Sequence, residues 1–73
     1  MRDDLFNAAA FRALRKARGL TVAALADLAG VSQSYIKRLE SGGCEPSDPY
    51  VRVLAEALRC NISDISTPKQ AAA

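Results

Sequence analysis

Residues 19–42, GLTVAALADLAGVSQSYIKRLESG, decide the fold of this chain. The stretch begins with apolar residues at helical spacing, and Thr21 can cap this helix because its hydroxyl accepts a hydrogen bond from a free amide. Gly30 follows and can adopt the left-handed backbone of a tight turn at little cost. Ser32 can then cap another helix. The stretch therefore predicts two short helices joined by a turn of three to four residues.

The second of these helices, about residues 32–41, has an apolar face and a polar face. At about 100° per residue, Ile36 and Leu39 fall on one side. A polar face alone is common on surface helices, so the residue types carry the prediction. The polar side lacks carboxylates, and its side chains match base edges, since Gln pairs with adenine and Arg or Lys with guanine. We assign DNA base contacts to Gln33, Ser34, Lys37 and Arg38.

Two helices joined by a short turn with glycine form the helix-turn-helix pattern, whose second helix lies in the major groove in DNA-binding proteins. The charge distribution agrees with this interpretation. The net charge is only +2, but residues 12–38 contain six basic side chains against Asp27 alone. Such asymmetry is expected of a protein that touches a polyanion with one face. Ordinary solvated helix surface is the alternative explanation.

A first helix is predicted over about residues 8–18, with Asn7 as its cap. A start at Asp3 or Asp4 is the alternative. The predicted core residues of the first three helices are Phe11, Leu14, Ala17, Leu25, Ala26, Leu28, Val31, Ile36 and Leu39.

A fourth helix is predicted after Ser47, with Pro49 in its first turn, where the missing N–H costs nothing. Its apolar stripe consists of Val51, Leu54, Ala55 and Leu58. A short fifth helix follows Asn61 and ends at Pro68. The prediction is thus one all-α domain over residues 1–73, a compact five-helix bundle with its core at about 8–66 and a flexible tail at 67–73.

Glu40 falls beside the apolar face of the helix over 32–41. A carboxylate so close to a core needs a partner, and Arg15, late in the first helix, is the best candidate. A partly exposed Glu40 without a fixed partner is the alternative.

Several classes of protein are excluded. No run of about 18 apolar residues could span a membrane, and no secretory leader is recognisable, so we expect a cytoplasmic protein without a membrane partner. Cys44 and Cys60 stand in a chain without histidine, which argues against a zinc site. No nucleophile–base pair or glycine-rich phosphate loop indicates an enzyme. We therefore expect no metal, no cofactor and no small-molecule ligand.

The chain resembles the lambda-repressor-like helix-turn-helix family, the Cro/repressor or XRE type. The resemblance covers roughly residues 11–66 at unbroken family spacing, and its motifs are LRKARGLT (14–21), LADLAGVSQSYIKRLESG (25–42), EPS (45–47) and LAEALRCNISDI (54–65). It implies a five-helix bundle and a sequence-specific transcriptional regulator that binds double-stranded DNA.

The resemblance also implies roles for single residues. Gln33, Ser34 and Arg38 match the main base-reading positions, and Lys37 matches an auxiliary one. Tyr35 and Ser41 match positions that often touch the phosphate backbone, and we add Thr21 to this phosphate-contacting group. Arg15 and Glu40 match a buried ion pair between helices one and three.

The sequence departs from the family pattern at three places. Val22 replaces a phosphate-binding glutamine, and the usually basic loop after helix three reads Gly43-Cys44-Glu45. Arg59 replaces the glycine that commonly follows helix four. The first two changes remove phosphate contacts.

One recognition helix reads few base pairs, so useful specificity requires two copies on a palindrome about one helical turn apart. We expect a homodimer with Ile62 and Ile65 as its interface. Alternatively, both isoleucines close the monomer core. The alternative function is a protein-interaction module, such as an antitoxin or adaptor, which Val22 and Glu45 slightly favour.

Overall fold

The structure, a computed structural model, describes residues 4–68. These residues form two short strands, four α-helices and one 3₁₀ helix. In chain order they are β1 (Asp4–Phe6), α1 (Ala8–Ala17), α2 (Val22–Ala29), α3 (Gln33–Glu40), α4 (Asp48–Leu58), the 3₁₀ helix (Ile62–Ile65) and β2 (Ser66–Pro68).

The starts of α1, α2 and α3 follow the predicted capping chemistry, whereas Ser47, expected to cap α4, makes no side-chain capping hydrogen bond. Asn7 Oδ1 accepts a hydrogen bond from the Ala10 N–H at 3.0 Å, and Thr21 Oγ1 accepts one from Ala24 at 3.0 Å. Ser32 Oγ caps α3 through the Tyr35 N–H at 3.1 Å. Because each cap satisfies an amide that the helix itself leaves free, these local contacts fix where three helices begin.

The prediction of an all-α, five-helix bundle is wrong in two respects. The segment after Asn61 is a four-residue 3₁₀ helix, so it does not add a fifth α-helix. The chain then continues into β2, which pairs antiparallel with β1 and places Leu5 opposite Thr67. The flexible tail is therefore wrong for residues 67 and 68, and residues 69–73 lie outside the described part.

β1 also excludes the early helix start at Asp4, because Asp4 belongs to the strand. Asp3 lies outside the described residues. The Phe6 ring packs on the buried ring of Phe11 with centroids 5.3 Å apart, which fixes β1 against α1.

All four α-helices contribute to one buried core, together with the 3₁₀ helix. Its members are Phe11, Leu25, Ala26, Ile36, Leu39, Val51, Leu54, Ala55, Leu58 and Ile65. Ala17 and Leu28, both expected in the core, are exposed, Leu28 to 60%. Ile65 is fully buried, so the alternative in which it closes the monomer core holds for this residue, and its assignment to a dimer surface is wrong.

The ends of α2 and α4 both use left-handed backbone. Gly30 has φ 71° at the end of α2, and the Val31 N–H then donates to the Ala26 carbonyl at 3.0 Å. Arg59 has φ 55° at the end of α4, where a glycine would avoid the steric conflict of its Cβ atom. Arg59 therefore replaces the glycine that commonly follows helix four and keeps the left-handed backbone conformation that suits a glycine.

No helix within the described range is both long and apolar enough to cross a membrane.

Candidate nucleic-acid interface

The two helices α2 and α3, with the turn between them, present a polar surface on one side of α3. Ile36 and Leu39 are fully buried and hold the inner side of α3 against the core. The four side chains predicted to contact bases are all exposed, and they are Gln33, Ser34, Lys37 and Arg38. The structure therefore brings these four side chains together on one outward face, which we call the α3 face.

An ion pair joins α1 to the end of α3. Arg15 Nε donates to Glu40 Oε2, and Nη2 donates to Oε1 at 3.1 Å. Arg15 Nη1 also donates to the Leu20 carbonyl at 2.8 Å. The two side chains are 11% and 10% exposed. The sequence prediction of a paired, largely buried Glu40 is thus confirmed.

The electrostatics of this pair follow from its geometry. The hydrogen bond to Glu40 raises the pKa of Arg15, and partial desolvation opposes that effect. A two-bond guanidinium–carboxylate contact also fixes orientation, because its donors and acceptors lie in one plane. The pair therefore sets the position of α3 relative to α1.

Tyr35 lies at the edge of the α3 face and contacts a residue that sequence reasoning missed. Its ring packs on Tyr50 of α4 with centroids 5.5 Å apart and planes at 52°. Together with residues 30–32 of the turn, the two rings line a cavity of about 290 Å³. No spacing rule connects residues 35 and 50, so the only signal was that both are aromatic.

Burial raises the pKa of Tyr35, with smaller contributions in the same direction from Cys44 and Tyr50 and an opposing one from Arg38. Tyr35 is therefore a neutral phenol at physiological pH. A phenol keeps its O–H as a donor for a phosphate oxygen.

The other two predicted phosphate ligands differ in what their hydroxyls can donate. Thr21 Oγ1 accepts from the Ala24 N–H, which leaves the hydroxyl hydrogen available. Ser41 Oγ donates to the Arg38 carbonyl at 3.0 Å, so its hydrogen is already in use. Thr21 can donate to a phosphate as it stands, whereas Ser41 would first have to release Arg38.

Two basic residues at the end of α1, Arg15 and Arg18, are held by hydrogen bonds within the domain. Arg18 Nε donates to the Leu58 carbonyl at 2.9 Å, and its Nη2 donates to the Arg59 carbonyl at 3.4 Å. Arg18 therefore satisfies carbonyls that the end of α4 leaves free. With Arg15 also engaged, the basic asymmetry seen in the sequence overstates the charge available to a polyanion.

Glu45 has a structural contact in the loop after α3. Its Oε2 accepts a hydrogen bond from the Phe6 N–H at 2.9 Å, which ties this loop to β1. The acidic departure from the family pattern therefore serves the attachment of the N-terminal strand.

The cysteines give no sign of a metal site. No group of three or more His, Cys, Asp or Glu side chains within residues 4–68 could hold a metal ion. Cys44 and Cys60 are free thiols, and both are half-buried. Burial, followed by the nearby Asp64, raises the pKa of the Cys60 thiol, and Arg18 opposes this.

Comparison with known proteins gives a consistent result. A family model described as a helix-turn-helix domain matches residues 8–65. The competence pilus inhibition repressor of Acinetobacter baylyi is 41% identical over 56 residues, which are 77% of this chain and 51% of that protein. This chain thus spans about half the length of that curated relative.

Solved structures agree on the fold. The restriction-modification controller protein C.AhdI from Aeromonas hydrophila is 33% identical, with a TM-score of 0.77, over 80% of this chain and 88% of that one. The P22 c2 repressor, solved in complex with a synthetic operator, is 31% identical with a TM-score of 0.75, over 80% and 88%. These relatives are regulators with a helix-turn-helix, not enzymes.

Proposed function

This chain belongs to the lambda-repressor-like helix-turn-helix family, and we propose that it is a transcriptional repressor that reads a palindromic DNA operator as a homodimer. The observation that carries the proposal is the α3 face, where four exposed side chains capable of base contacts stand without a carboxylate. In this role the protein acts in the cytoplasm, where it has access to DNA.

The chemistry of the α3 face suits direct readout in the major groove. The Gln33 amide offers one donor and one acceptor, which matches adenine N7 and N6. The Arg38 guanidinium offers two parallel donors, which match guanine O6 and N7. Lys37 adds a mobile point charge that suits a phosphate or guanine. Ser34, at the start of α3, contributes a short hydroxyl.

Phosphate contacts orient such a helix on the duplex without reading sequence. In our proposal, Thr21 and Tyr35 donate to phosphates on either side of the α3 face. Ser41 joins them when its hydroxyl turns away from Arg38. The buried pair of Arg15 and Glu40 keeps α3 at a fixed angle, so that base contacts form without reordering of the domain.

The homodimer is proposed on geometric grounds. A helix of eight residues spans about 12 Å and reads only a few base pairs. Two copies related by a two-fold axis would read both halves of a palindrome. Ile62 is half-buried and remains the proposed apolar contact of that interface, whereas Ile65 is enclosed in the core.

The proposal is tested by selecting bound sites from random duplex DNA with the full chain. We expect an enriched palindrome with half-sites about one helical turn apart. Titration of that site should give two protomers per duplex, and a single half-site should bind much more weakly. Equal affinity for half-site and palindrome would contradict the dimer, and the absence of any enriched sequence would contradict specific DNA binding.

The alternative of a protein-interaction module predicts a different outcome. An antitoxin or adaptor that has lost DNA binding would not be retained on duplex DNA at low salt. A regulator should be retained, and it should elute as salt rises, because counterion release drives its binding.

A further inference from the structure

A groove between α1 and the end of α3 adjoins the predicted site and shares Ser41 with it. Its α1 wall carries Arg12 and Lys16 beside three alanines, at positions 8, 9 and 13, and its other wall is formed by residues 40–42. Its volume is about 540 Å³. We call this the α1 groove. Because it runs to the last turn of the recognition helix, a ligand in it would continue from the α3 face.

The charges that face the α1 groove are positive in sum. Arg12 is 57% exposed, and its Nε lies 3.9 Å from Glu40 Oε1. That carboxylate is already held by two hydrogen bonds from Arg15, so it neutralises little of Arg12. Lys16 is exposed, and no hydrogen bond or ion pair within residues 4–68 engages its ammonium group. The groove therefore has two cations to offer and one carboxylate that is satisfied from within the protein.

The shape of the α1 groove suits a chain of phosphates. Arg12 and Lys16 are four residues apart on one helix, so their positions lie about 6 Å apart along the axis of α1. Ala13 lies between the two cations along the helix and Ala9 lies about one turn before Arg12, and both are exposed and present only methyl groups. A backbone can therefore approach the helix closely while the long basic side chains reach around it.

We propose that the α1 groove binds the sugar-phosphate backbone of the DNA duplex just beyond the bases read by the α3 face. This assignment rests on the proposed function. The two cations would add phosphate contacts that carry no sequence information, in place of those lost at Val22 and in the loop at residues 43–45. An acidic segment of a partner protein is the competing occupant, and it is an outcome of the test.

The test uses the full chain with Arg12→Gln and Lys16→Gln combined, and fluorescence anisotropy on the selected duplex and on a scrambled duplex over a range of salt. Each lost phosphate contact reduces the slope of log K against log salt by about 0.9. The slope of the double variant should therefore be smaller in magnitude by about 1.8. For each tenfold dilution of salt, the variant should gain about 60-fold less affinity than the wild type gains. The loss should be equal on both duplexes.

The matched control removes the same two charges elsewhere, through Arg52→Gln on α4 combined with Arg59→Gln just after the end of α4, where both side chains are exposed. This control should keep most of the wild-type slope. A second variant, Arg12→Lys with Lys16→Arg, keeps both charges in the groove and should also keep the slope. Melting curves of all three variants verify that the fold is intact.

Three results would overturn the assignment. An unchanged slope in the Arg12 and Lys16 variant would show that the groove does not contact DNA, and it would favour an acidic segment of a partner protein as the occupant. Equal losses in this variant and in the α4 control would show that only net charge matters. If the wild-type chain binds no duplex at all, the proposed function fails with the groove, whereas wild-type binding with an unchanged variant slope overturns the groove alone.

Discussion

The helix-turn-helix and the terminal ribbon of β1 and β2 are built from opposite kinds of contact. In the helix-turn-helix, caps and turn bonds join residues three to five positions apart, such as Ser32 with Tyr35 and Ala26 with Val31. In the ribbon, Asn7 Nδ2 donates to Thr67 Oγ1 at 2.9 Å, and the Asn7 N–H donates to the Ile65 carbonyl at 2.8 Å. The first region is encoded locally, whereas the second exists only when both ends of the domain meet.

Helix α1 connects these two regions. Asn7, which caps its start, is hydrogen-bonded to Thr67 of the ribbon, and Arg15 near its end holds the recognition helix. We therefore expect changes near Arg15 to affect the whole domain and changes in the ribbon to act more weakly and to leave the α3 face intact. The following variants test this difference.

The largest effect is expected from Glu40→Ala. This change leaves the Arg15 guanidinium largely buried without its carboxylate, and breaking such a pair from one side costs about 3–5 kcal/mol. Because the two side chains are still 11% and 10% exposed, we expect the lower end of this range, about 3 kcal/mol. Urea unfolding followed by circular dichroism measures it directly.

Glu56→Ala is the matched control, since Glu56 is an exposed carboxylate on α4. It should change the free energy of unfolding by less than about 0.5 kcal/mol. In a domain of this size the Glu40 variant should lower Tm by at least about 10 °C. A melting temperature within two degrees of the control would show that the pair does not hold α1 to α3.

The next effect concerns binding, not stability. Arg38→Ala should cost about 1–3 kcal/mol at one base position of the selected site, because a two-donor contact with guanine is lost. Lys37→Ala should weaken all sequences more evenly. Gel-shift titrations of single-base variants of the site separate the two patterns. An Arg38→Ala protein with an unchanged titration would place the base contacts on another face.

What the sequence could predict follows from the same difference between local and distant contacts. Several features can be recognised in the sequence from residue spacing or from a polar residue beside an apolar stripe. They are the caps Asn7, Thr21 and Ser32, the α3 face, and the pair of Arg15 with Glu40. The ribbon was missed because its strands have three residues each and pair across about sixty positions. Three residues carry no periodicity that could be recognised.

Two further errors have physical causes of their own. The assignment of Ile65 to an interface is wrong because a four-residue 3₁₀ helix, which turns this side chain into the core, cannot be distinguished from the start of an α-helix by apolar residues alone. Arg18 was counted as surface charge, although its long side chain reaches the carbonyls that end α4. Tertiary contacts of this kind are not contained in the spacing of residues along the chain.

A smaller effect is expected in the ribbon. Asn7→Ala removes the cap of α1 and the bond to Thr67 together, and loss of a cap typically costs about 1 kcal/mol. Thr67→Val removes only the bond across the ribbon, so its loss should be smaller, about 0.5–1 kcal/mol. Urea unfolding of both variants measures the difference between them.

DNA binding by these two ribbon variants sharpens the comparison. If the ribbon and the α3 face are independent, both variants should bind the selected site with wild-type affinity under conditions where they are folded. A tenfold loss of affinity in Thr67→Val would show that the ribbon positions the recognition helix through α1. Ser63→Ala, an exposed change in the nearby 3₁₀ helix, serves as the control.

The smallest effect, and the one of opposite sign, is expected from Arg59→Gly. Arg59 has φ 55°, a left-handed conformation that costs an L-residue about 1 kcal/mol or more. Glycine removes this strain, but it also gives the unfolded chain more freedom, which offsets about 0.4–1 kcal/mol. The net expectation is a gain of about 0.5 kcal/mol, visible as a rise of a few degrees in Tm.

Arg59→Ala is the decisive control, because it removes the same charge and keeps the strain. The Arg18 bond to the backbone carbonyl of residue 59 persists in both variants. A gain in the glycine variant alone would show that the end of α4 keeps the conformation of a glycine at the cost of strain. Equal gains in both variants would instead point to repulsion between Arg59 and neighbouring cations such as Arg18.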